Sequence, residues 1–316
     1  MALVLAFAPL ALSAQGTLVA GNKAANTATL VNLTTGKITA TLKTGVGPHE
    51  SAISPDGKWA VITDYGTAGS PGNSLTVIDI AKATVAKTIS LGKYRQPHGI
   101  AFLPGGTTAA VTVEANQAVL LVDVAAGTVT KEIPTAQAGT HMIAVRGDGK
   151  MGYTSNIRSG TITEINFATG ATRSLEVAPQ AEGIAVTADG KEVWVGSNSA
   201  ATISVVDVAS WKVVATLDQG ERPYRVELSR DGSLAVAALT QRGKIRLIET
   251  ATRKEIGMLE TPAGAQPVGM AFSADGKKLY VACQGSNAIL EFDMASRRAA
   301  RTFGTGQGPD GVAIGK

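Results

Sequence analysis

Short segments that alternate hydrophobic and polar residues recur along the chain at intervals of 41 to 49 residues. A first segment such as "GIAVTADG" is followed by a second such as "KEVWVGSN". A third ends in aspartate, as in "ISVVDV", and a fourth, such as "KVVATLDQG", completes the unit. Alternation with a period of two over runs of this length is typical of β-strands. Each unit is therefore predicted to contain four antiparallel strands.

Asp-Gly pairs follow the first strand in five of the units: Asp56-Gly57, Asp148-Gly149, Asp189-Gly190, Asp231-Gly232 and Asp275-Gly276. Asp-Gly tolerates a positive φ at both residues, which is the requirement of the commonest two-residue hairpin turn. We therefore predict a two-residue turn between the first and second strands of these units.

The repeat also predicts the fold, because antiparallel four-stranded units at this spacing are typical of β-propeller blades. Residues 17–45 contain only the second, third and fourth strands of a unit, and "PDGVAIG" at 309–315 is a first strand alone. Together they would complete one blade and leave no free sheet edge. We predict an all-β, seven-bladed β-propeller that forms a single domain over residues 15–316.

Two of the units resemble a known repeat family. The stretches "GKKLYVACQGSNAILEFDMASRRAARTFGTGQGPDGVAI" and "GKEVWVGSNSAATISVVDVASWKVVATLDQGERPYRV" are similar to the YVTN-type, YncE-like β-propeller repeat. The resemblance implies a bacterial or archaeal protein that is often exported, related to lactonase-like and cytochrome d1-like propellers. It implies no single activity, because this fold carries hydrolases, oxidoreductase domains and binding modules.

Composition and charge narrow the function classes. Hydrophobic residues make up 44% of the chain, enough for a large core. The 29 basic residues are scattered among 25 acidic ones without a basic run, which argues against nucleic-acid binding. Residues 1–14, MALVLAFAPLALSA, are apolar and are predicted to be a signal peptide, too short to span a bilayer. The single cysteine, Cys283, excludes an intramolecular disulfide. We expect a periplasmic or secreted monomer with no membrane span after signal removal.

The propeller fold predicts two rings of side chains at one mouth of the central channel. The first ring, at the start of each first strand, comprises His49, His98, His141, Glu182, Tyr224, Val268 and Asp310. The second ring, at the ends of the second strands, comprises Asn22, Asp64, Glu114, Asn156, Asn198, Leu239 and Gln284. An insertion at 65–74, "YGTAGSPGNS", is expected to cover part of this mouth. A concave polar channel end is the expected site for a small ligand or a protein partner.

All three histidines of the chain belong to the first ring, and a metal site is therefore the most specific hypothesis. His49, His98, His141 and Glu182 lie on four consecutive blades, and neighbouring sheets pack about 10 Å apart. Imidazole nitrogens favour zinc, copper, nickel or iron, so the four residues are predicted to bind one such ion. Asp64 and Glu114 are expected to orient the imidazoles. The alternative is that the histidines only hydrogen-bond neighbouring loops.

Three functions fit these observations. The first is an exported binding module for a ligand, a metal ion or a partner. The second is a metal-assisted hydrolase of the lactonase type, with Glu114 or Asp64 as the base. The calcium-dependent propeller lactonases use oxygen ligands, which three histidines match poorly. In the third, one histidine would bind a haem iron as in cytochrome d1-like domains. Those domains usually have eight blades, whereas this chain is predicted to have seven.

Overall fold

The computed structural model describes residues 16–315, so the predicted signal peptide at 1–14 lies outside the described residues. Within that range, 28 strands form seven antiparallel sheets of four strands each. None of the helical segments between residues 16 and 315 is long and apolar enough to cross a membrane.

The strands are five to ten residues long. The first fourteen, in chain order, are β1 (Thr17–Asn22), β2 (Thr27–Asn32), β3 (Lys37–Lys43), β4 (Pro48–Ile53), β5 (Trp59–Thr67), β6 (Ser70–Asp79), β7 (Thr84–Ser90), β8 (Pro97–Phe102), β9 (Thr108–Val113), β10 (Ala118–Asp123), β11 (Thr128–Pro134), β12 (Thr140–Val145), β13 (Met151–Asn156) and β14 (Thr161–Asn166). The remaining fourteen are β15 (Thr172–Glu176), β16 (Ala181–Val186), β17 (Glu192–Ser197), β18 (Thr202–Asp207), β19 (Lys212–Asp218), β20 (Pro223–Leu228), β21 (Leu234–Leu239), β22 (Lys244–Glu249), β23 (Lys254–Glu260), β24 (Pro267–Phe272), β25 (Lys278–Cys283), β26 (Ala288–Asp293), β27 (Arg298–Gly304) and β28 (Pro309–Ile314). Two 3₁₀ turns, Glu114–Asn116 and Gln284–Ser286, follow β9 and β25.

The sheets form a closed ring. Blade 1 has the strand order β28-β1-β2-β3, and blades 2 to 7 follow in chain order from β4–β7 to β24–β27. The first strands of neighbouring blades contact each other all the way around, from β4 and β8 to β24, β28 and back to β4. The predicted seven-bladed propeller is confirmed, and so is its closure by pairing of the N-terminal strands with the last strand.

Burial follows the position of a strand within its blade. Second and third strands are buried on both faces because each sheet is covered by its two neighbours; Trp194 on β17 is completely buried. Fourth strands lie at the outer rim, so Val213 and Val214 on β19 remain 38% and 45% exposed. The core therefore consists of the layers between blades rather than of one central cluster.

The turns that contain Asp-Gly differ from the predicted two-residue turns. In blade 2, Ser54 N donates to Trp59 O and Gly57 N donates to Ser54 O, each at 2.8 Å. Four residues therefore lie between Ser54 and Trp59, the last pair joined across the turn. Gly57 has a φ of +71°, whereas Asp56 lies outside the positive region. The Asp56 carboxylate instead accepts hydrogen bonds from Ser54 Oγ and Lys58 N. The aspartate stabilises a longer turn by side-chain bonding rather than by its backbone conformation.

The insertion at 65–74 forms no separate lid. It prolongs the hairpin between β5 and β6, with Gly66 opposite Pro71 and Thr67 opposite Ser70. This extension brings Tyr65 over the channel mouth, edge-on to two histidine rings at centroid distances of 5.3 Å and 5.4 Å.

The close approach of first strands predicts a sharp effect at Gly269. A Cβ at this position of β24 would overlap the backbone carbonyl oxygen of Asp310 on β28. We expect Gly269→Ala to lower the free energy of unfolding by about 2–3 kcal/mol, because overpacking costs about 1–3 kcal/mol and a backbone oxygen cannot rotate away. Urea unfolding followed by circular dichroism measures the effect.

Gly304→Ala is the matched control, because a Cβ at the end of β27 meets no heavy atom within 4 Å. This variant is expected to stay within about 0.5 kcal/mol of the parent protein. If both variants unfolded at the same urea concentration, the tight packing of β24 on β28 would be contradicted.

Candidate metal centre at the channel mouth

The three histidines stand side by side at the channel mouth. His49 on β4, His98 on β8 and His141 on β12 are all buried, on three consecutive blades. The ring centroids of His49 and His98 are 4.0 Å apart, and those of His98 and His141 are 3.7 Å apart. The repeat produces this stack because the same position of each first strand contacts its equivalent in the next blade.

His141 lies between two carboxylates. Its Nδ1 bonds to Glu114 Oε1, and its Nε2 lies 2.9 Å from Glu182 Oε1. Burial lowers the pKa of His141, but Glu182 and Glu114 outweigh burial and raise the pKa to about 9. Burial raises the pKa of both carboxyls, and the cations beside them more than reverse this: Glu182 falls to about 2, and Glu114 is also lowered. His141 is therefore an imidazolium held between two carboxylates at neutral pH.

His98 is the opposite case. Burial lowers its pKa well below the ordinary value, and the neighbouring charges of His141 and His49 add to the effect. Its Nδ1 is buried and has no hydrogen-bond partner within residues 16–315. A neutral imidazole with an unpartnered nitrogen is the form in which histidine binds metals.

His49 has a cation on one side and an anion on the other. Lys23 Nζ lies 2.6 Å from His49 Nε2, to which it donates. Asp310 Oδ2 lies 3.2 Å from His49 Nδ1 and 3.6 Å from Lys23 Nζ. Asp310 is completely buried, and in the described part of the chain neither of its oxygens accepts a hydrogen bond. At this end of the histidine stack, the positive charge of Lys23 and the negative charge of Asp310 therefore compensate each other.

An arginine bridge crosses the channel beside the histidines. Arg225 on β20 binds Glu182 of blade 5 and reaches across to Glu50 of blade 2. Burial raises the pKa of Glu50, but Arg225 and His49 outweigh it and lower the pKa to about 2. The ring of Tyr224 lies 4.7 Å from the Arg225 guanidinium. The bridge connects opposite sides of the propeller through a pair of buried ion pairs.

Five residues of the predicted second ring form two groups by their hydrogen-bond partners. Asn22, Asp64 and Asn156 bond to hydroxyl groups of the third strands; the Asp64 carboxylate accepts from Thr76, Ser74 and the Gly45 backbone. Glu114 and Asn198 turn to the first ring, where Asn198 Nδ2 donates to Glu182 Oε2 at 3.2 Å. Gln284 opens the 3₁₀ turn after β25. The structure thus brings Glu114 to a histidine and directs Asp64 elsewhere.

Two groups of residues bring possible metal donor atoms within 4.8 Å of one another in the described part of the chain. One contains His49, Glu50 and His98, and the other contains His98, Glu114 and His141. His98 is common to both, and Glu182 belongs to neither. The prediction placed three histidines and Glu182 around one ion. In the structure each group instead contains two of the histidines and one other glutamate, Glu50 or Glu114.

Sequence reasoning missed Glu50, Arg225, Lys23 and Tyr65. A signal existed for the first two: both occupy the position after the first ring, where Gly99, Gly183, Gly269 and Gly311 stand in four other blades. A long charged side chain where the repeat elsewhere has glycine marks a residue that reaches into the channel. Lys23 and Tyr65 carry no such periodic signal.

The model of the YNCE-like beta-propeller family matches residues 105–233. This match confirms the resemblance to the YncE-like β-propellers. The matched residues include Glu114, His141, Glu182 and Arg225, whereas His49 and His98 precede them.

No curated protein matches the chain in sequence. Among solved structures, a chain described as Kuenenia stuttgartiensis hydrazine synthase superimposes with a TM-score of 0.77 at 19% sequence identity. The superposition covers 93% of this chain and 99% of that chain. At this identity the likeness shows a shared propeller fold.

Proposed function

We propose that this protein is a monomeric β-propeller binding module whose channel mouth holds a transition-metal ion, such as zinc, copper, nickel or iron, through His98, His141 and Glu114. The observation that carries the proposal is the group formed by these three residues, with donor atoms within 4.8 Å of one another. Two imidazoles and a carboxylate are a common ligand set of such ions, and three protein ligands leave one position open.

The surroundings of His141 favour this group. An ion replacing the proton between His141 Nδ1 and Glu114 would leave Nε2–H to donate to Glu182. Metal-bound histidines regularly donate their second ring nitrogen to a carboxylate in this way, which fixes the orientation of the ring. Glu182 is thus assigned an orienting role.

The alternative group of His49, Glu50 and His98 is less favourable for a cation. Lys23 Nζ lies 2.6 Å from His49 Nε2 and would repel an ion bound by the same ring. Glu50 is also occupied by Arg225. We therefore assign the ion to the His141 side of the stack.

Removing His98 tests the proposal. Metal-free parent protein is expected to bind about one Zn²⁺ per chain, and His98→Ala is expected to bind it at least about 100-fold more weakly. The reason is that loss of a ligand costs more than loss of an orienting partner, which costs about 10- to 100-fold. Isothermal titration calorimetry with Zn²⁺ and mass-spectrometric metal content give the two readouts.

Asp64→Asn provides the control, because Asp64 is buried in the same mouth but binds Gly45, Ser74 and Thr76. Its zinc affinity is expected to equal that of the parent protein. An unchanged zinc affinity in His98→Ala, or no zinc uptake by the parent protein after reloading, would overturn the proposal.

A metal-assisted hydrolase is the second candidate, and a cleft beside the metal group favours it. The cleft has a volume of about 660 Å³ and is lined by Glu114 and His141. A metal ion with an open position facing the cleft would polarise an ester carbonyl. Zinc-dependent hydrolysis of esters or lactones, absent in His98→Ala, would support this reading.

We place the protein in the periplasm or outside the cell. The apolar segment at 1–14 and the YncE-like match support this placement. The absence of a basic run continues to argue against a nucleic-acid partner.

A further inference from the structure

The cleft at the channel mouth has a largely buried inner wall and a more exposed outer wall. Tyr65, Glu114 and His141 form the inner wall, so the cleft opens onto the proposed metal group. The outer wall comes from the loop between β13 and β14, at residues 157–160, and from Glu176, Pro179 and Gln180 at the connection between blades 4 and 5. A molecule in the cleft therefore touches the metal group at one end and these loops at the other.

Arg158 is the cation of the outer wall. Its guanidinium has no hydrogen-bond or ion-pair partner within residues 16–315, although its charge reaches Glu114. The backbone N–H groups of Arg158 and Ser159 donate to Ala138 O, each at 3.2 Å. The loop is thus fixed while the side chain is available to a ligand.

The charges of the cleft favour an anion once a metal ion is bound. Glu114 is neutralised by His141 and also accepts a hydrogen bond from Tyr65 Oη at 3.0 Å. A divalent ion in this group adds positive charge at the inner end, and Arg158 supplies it at the outer end. Glu176, exposed at the outer edge, is the remaining negative group of the lining and disfavours ligands with several negative charges.

We propose that the cleft binds a small organic acid, with one carboxylate on Arg158 and a second oxygen on the metal ion held by His98, Glu114 and His141. Arginine suits this role because its planar guanidinium pairs with a carboxylate through two parallel hydrogen bonds. The metal contact rests on the proposed function, whereas the Arg158 contact does not. Because the ligand bridges both groups, zinc and the acid each raise the affinity of the other by the same factor.

Succinate and glutarate, two dicarboxylates of different length, are the probes, and uncharged succinamide is the ligand control. Calorimetric titration of the zinc-loaded parent protein is expected to show binding of at least one of the acids and none of succinamide. Arg158→Gln is expected to weaken acid binding by about 10- to 100-fold, the usual effect of losing a charge-assisted hydrogen bond. Its zinc affinity should not fall, because the substitution removes a positive charge near Glu114 and no zinc ligand.

Arg242→Gln is the matched control variant. Arg242 lies in the loop of blade 6 that corresponds to the Arg158 loop of blade 4, and it pairs with Glu221 at 3.2 Å. Acid binding by this variant is expected to equal that of the parent protein. A wild-type affinity for succinate and glutarate in Arg158→Gln would overturn the proposal.

The metal-free protein separates this proposal from the proposed function. If zinc binds but neither acid binds with or without it, the cleft proposal fails and the metal site stands. If zinc does not bind while an acid still binds in an Arg158-dependent way, the metal site and the bridging contact fail and the carboxylate site stands. Equal acid affinity with and without zinc would contradict only the contact between the acid and the metal ion.

Discussion

Arg225→Met is expected to lower the free energy of unfolding by about 3–5 kcal/mol, because removing one partner of a buried ion pair leaves uncompensated charge. Arg225 is buried between Glu50 and Glu182, on opposite sides of the channel. Methionine fills a similar volume, so the loss reports charge rather than a cavity. Urea unfolding near neutral pH, followed by circular dichroism, is the measurement.

Arg242→Met is the control for this result, since the Arg242 side chain is 48% exposed. Its partner Glu221 is buried but also accepts hydrogen bonds from the backbone N–H groups of Gln241 and Arg242, which the substitution keeps. An ion pair with a solvent-exposed arginine contributes about 0–1 kcal/mol, so little change is expected. If Arg225→Met were as stable as this control, the channel bridge would contribute no stability, and the charges of Glu50 and Glu182 would have to be compensated in another way.

Glu227→Gln is expected to stabilise the protein in alkaline solution. Glu227 lies on β20, and burial followed by the charge of Glu50 raises its pKa to about 8, against a lowering by Arg225. Between the ordinary pKa of 4.5 and about 8, the folded protein holds a proton that the unfolded chain has released. Stability therefore falls as pH rises through this window, and glutamine removes that loss.

We expect the variant to exceed the parent protein by about 4 kcal/mol at about pH 9 and to match it near pH 4, below the ordinary pKa of 4.5. His141 acts in the same direction, because its raised pKa gives stability that is complete below 6.5 and lost as pH rises to about 9. The variant thus keeps part of the pH dependence. Glu260→Gln, at an exposed position, should follow the parent curve. If the stability of Glu227→Gln changed with pH in the same way as that of the parent protein, the raised pKa of Glu227 would be refuted.

The fold could be derived from the sequence because each blade repeats the same local pattern. Strand alternation, the aspartates that end third strands and the orphan strand at 309–315 together specify seven blades and their closure. The turn prediction was less accurate: the Asp-Gly pairs mark the right places, but in each pair only the glycine adopts a positive φ, and the loop is longer. Composition locates a turn, whereas its length depends on how Ser54 and Asp56 bond to it.

The sequence by itself also determined that the three histidines share one repeat position, and hence one mouth of the channel. Only the tertiary structure decided which groups contact them. Glu114 meets His141 while Asp64 turns to Thr76, although the two carboxylates occupy equivalent repeat positions. Glu50 and Arg225 meet across the channel from positions 175 residues apart. Repeat position fixes which ring a side chain belongs to, but partners across a ring depend on the side-chain lengths and charges that the closed propeller brings together.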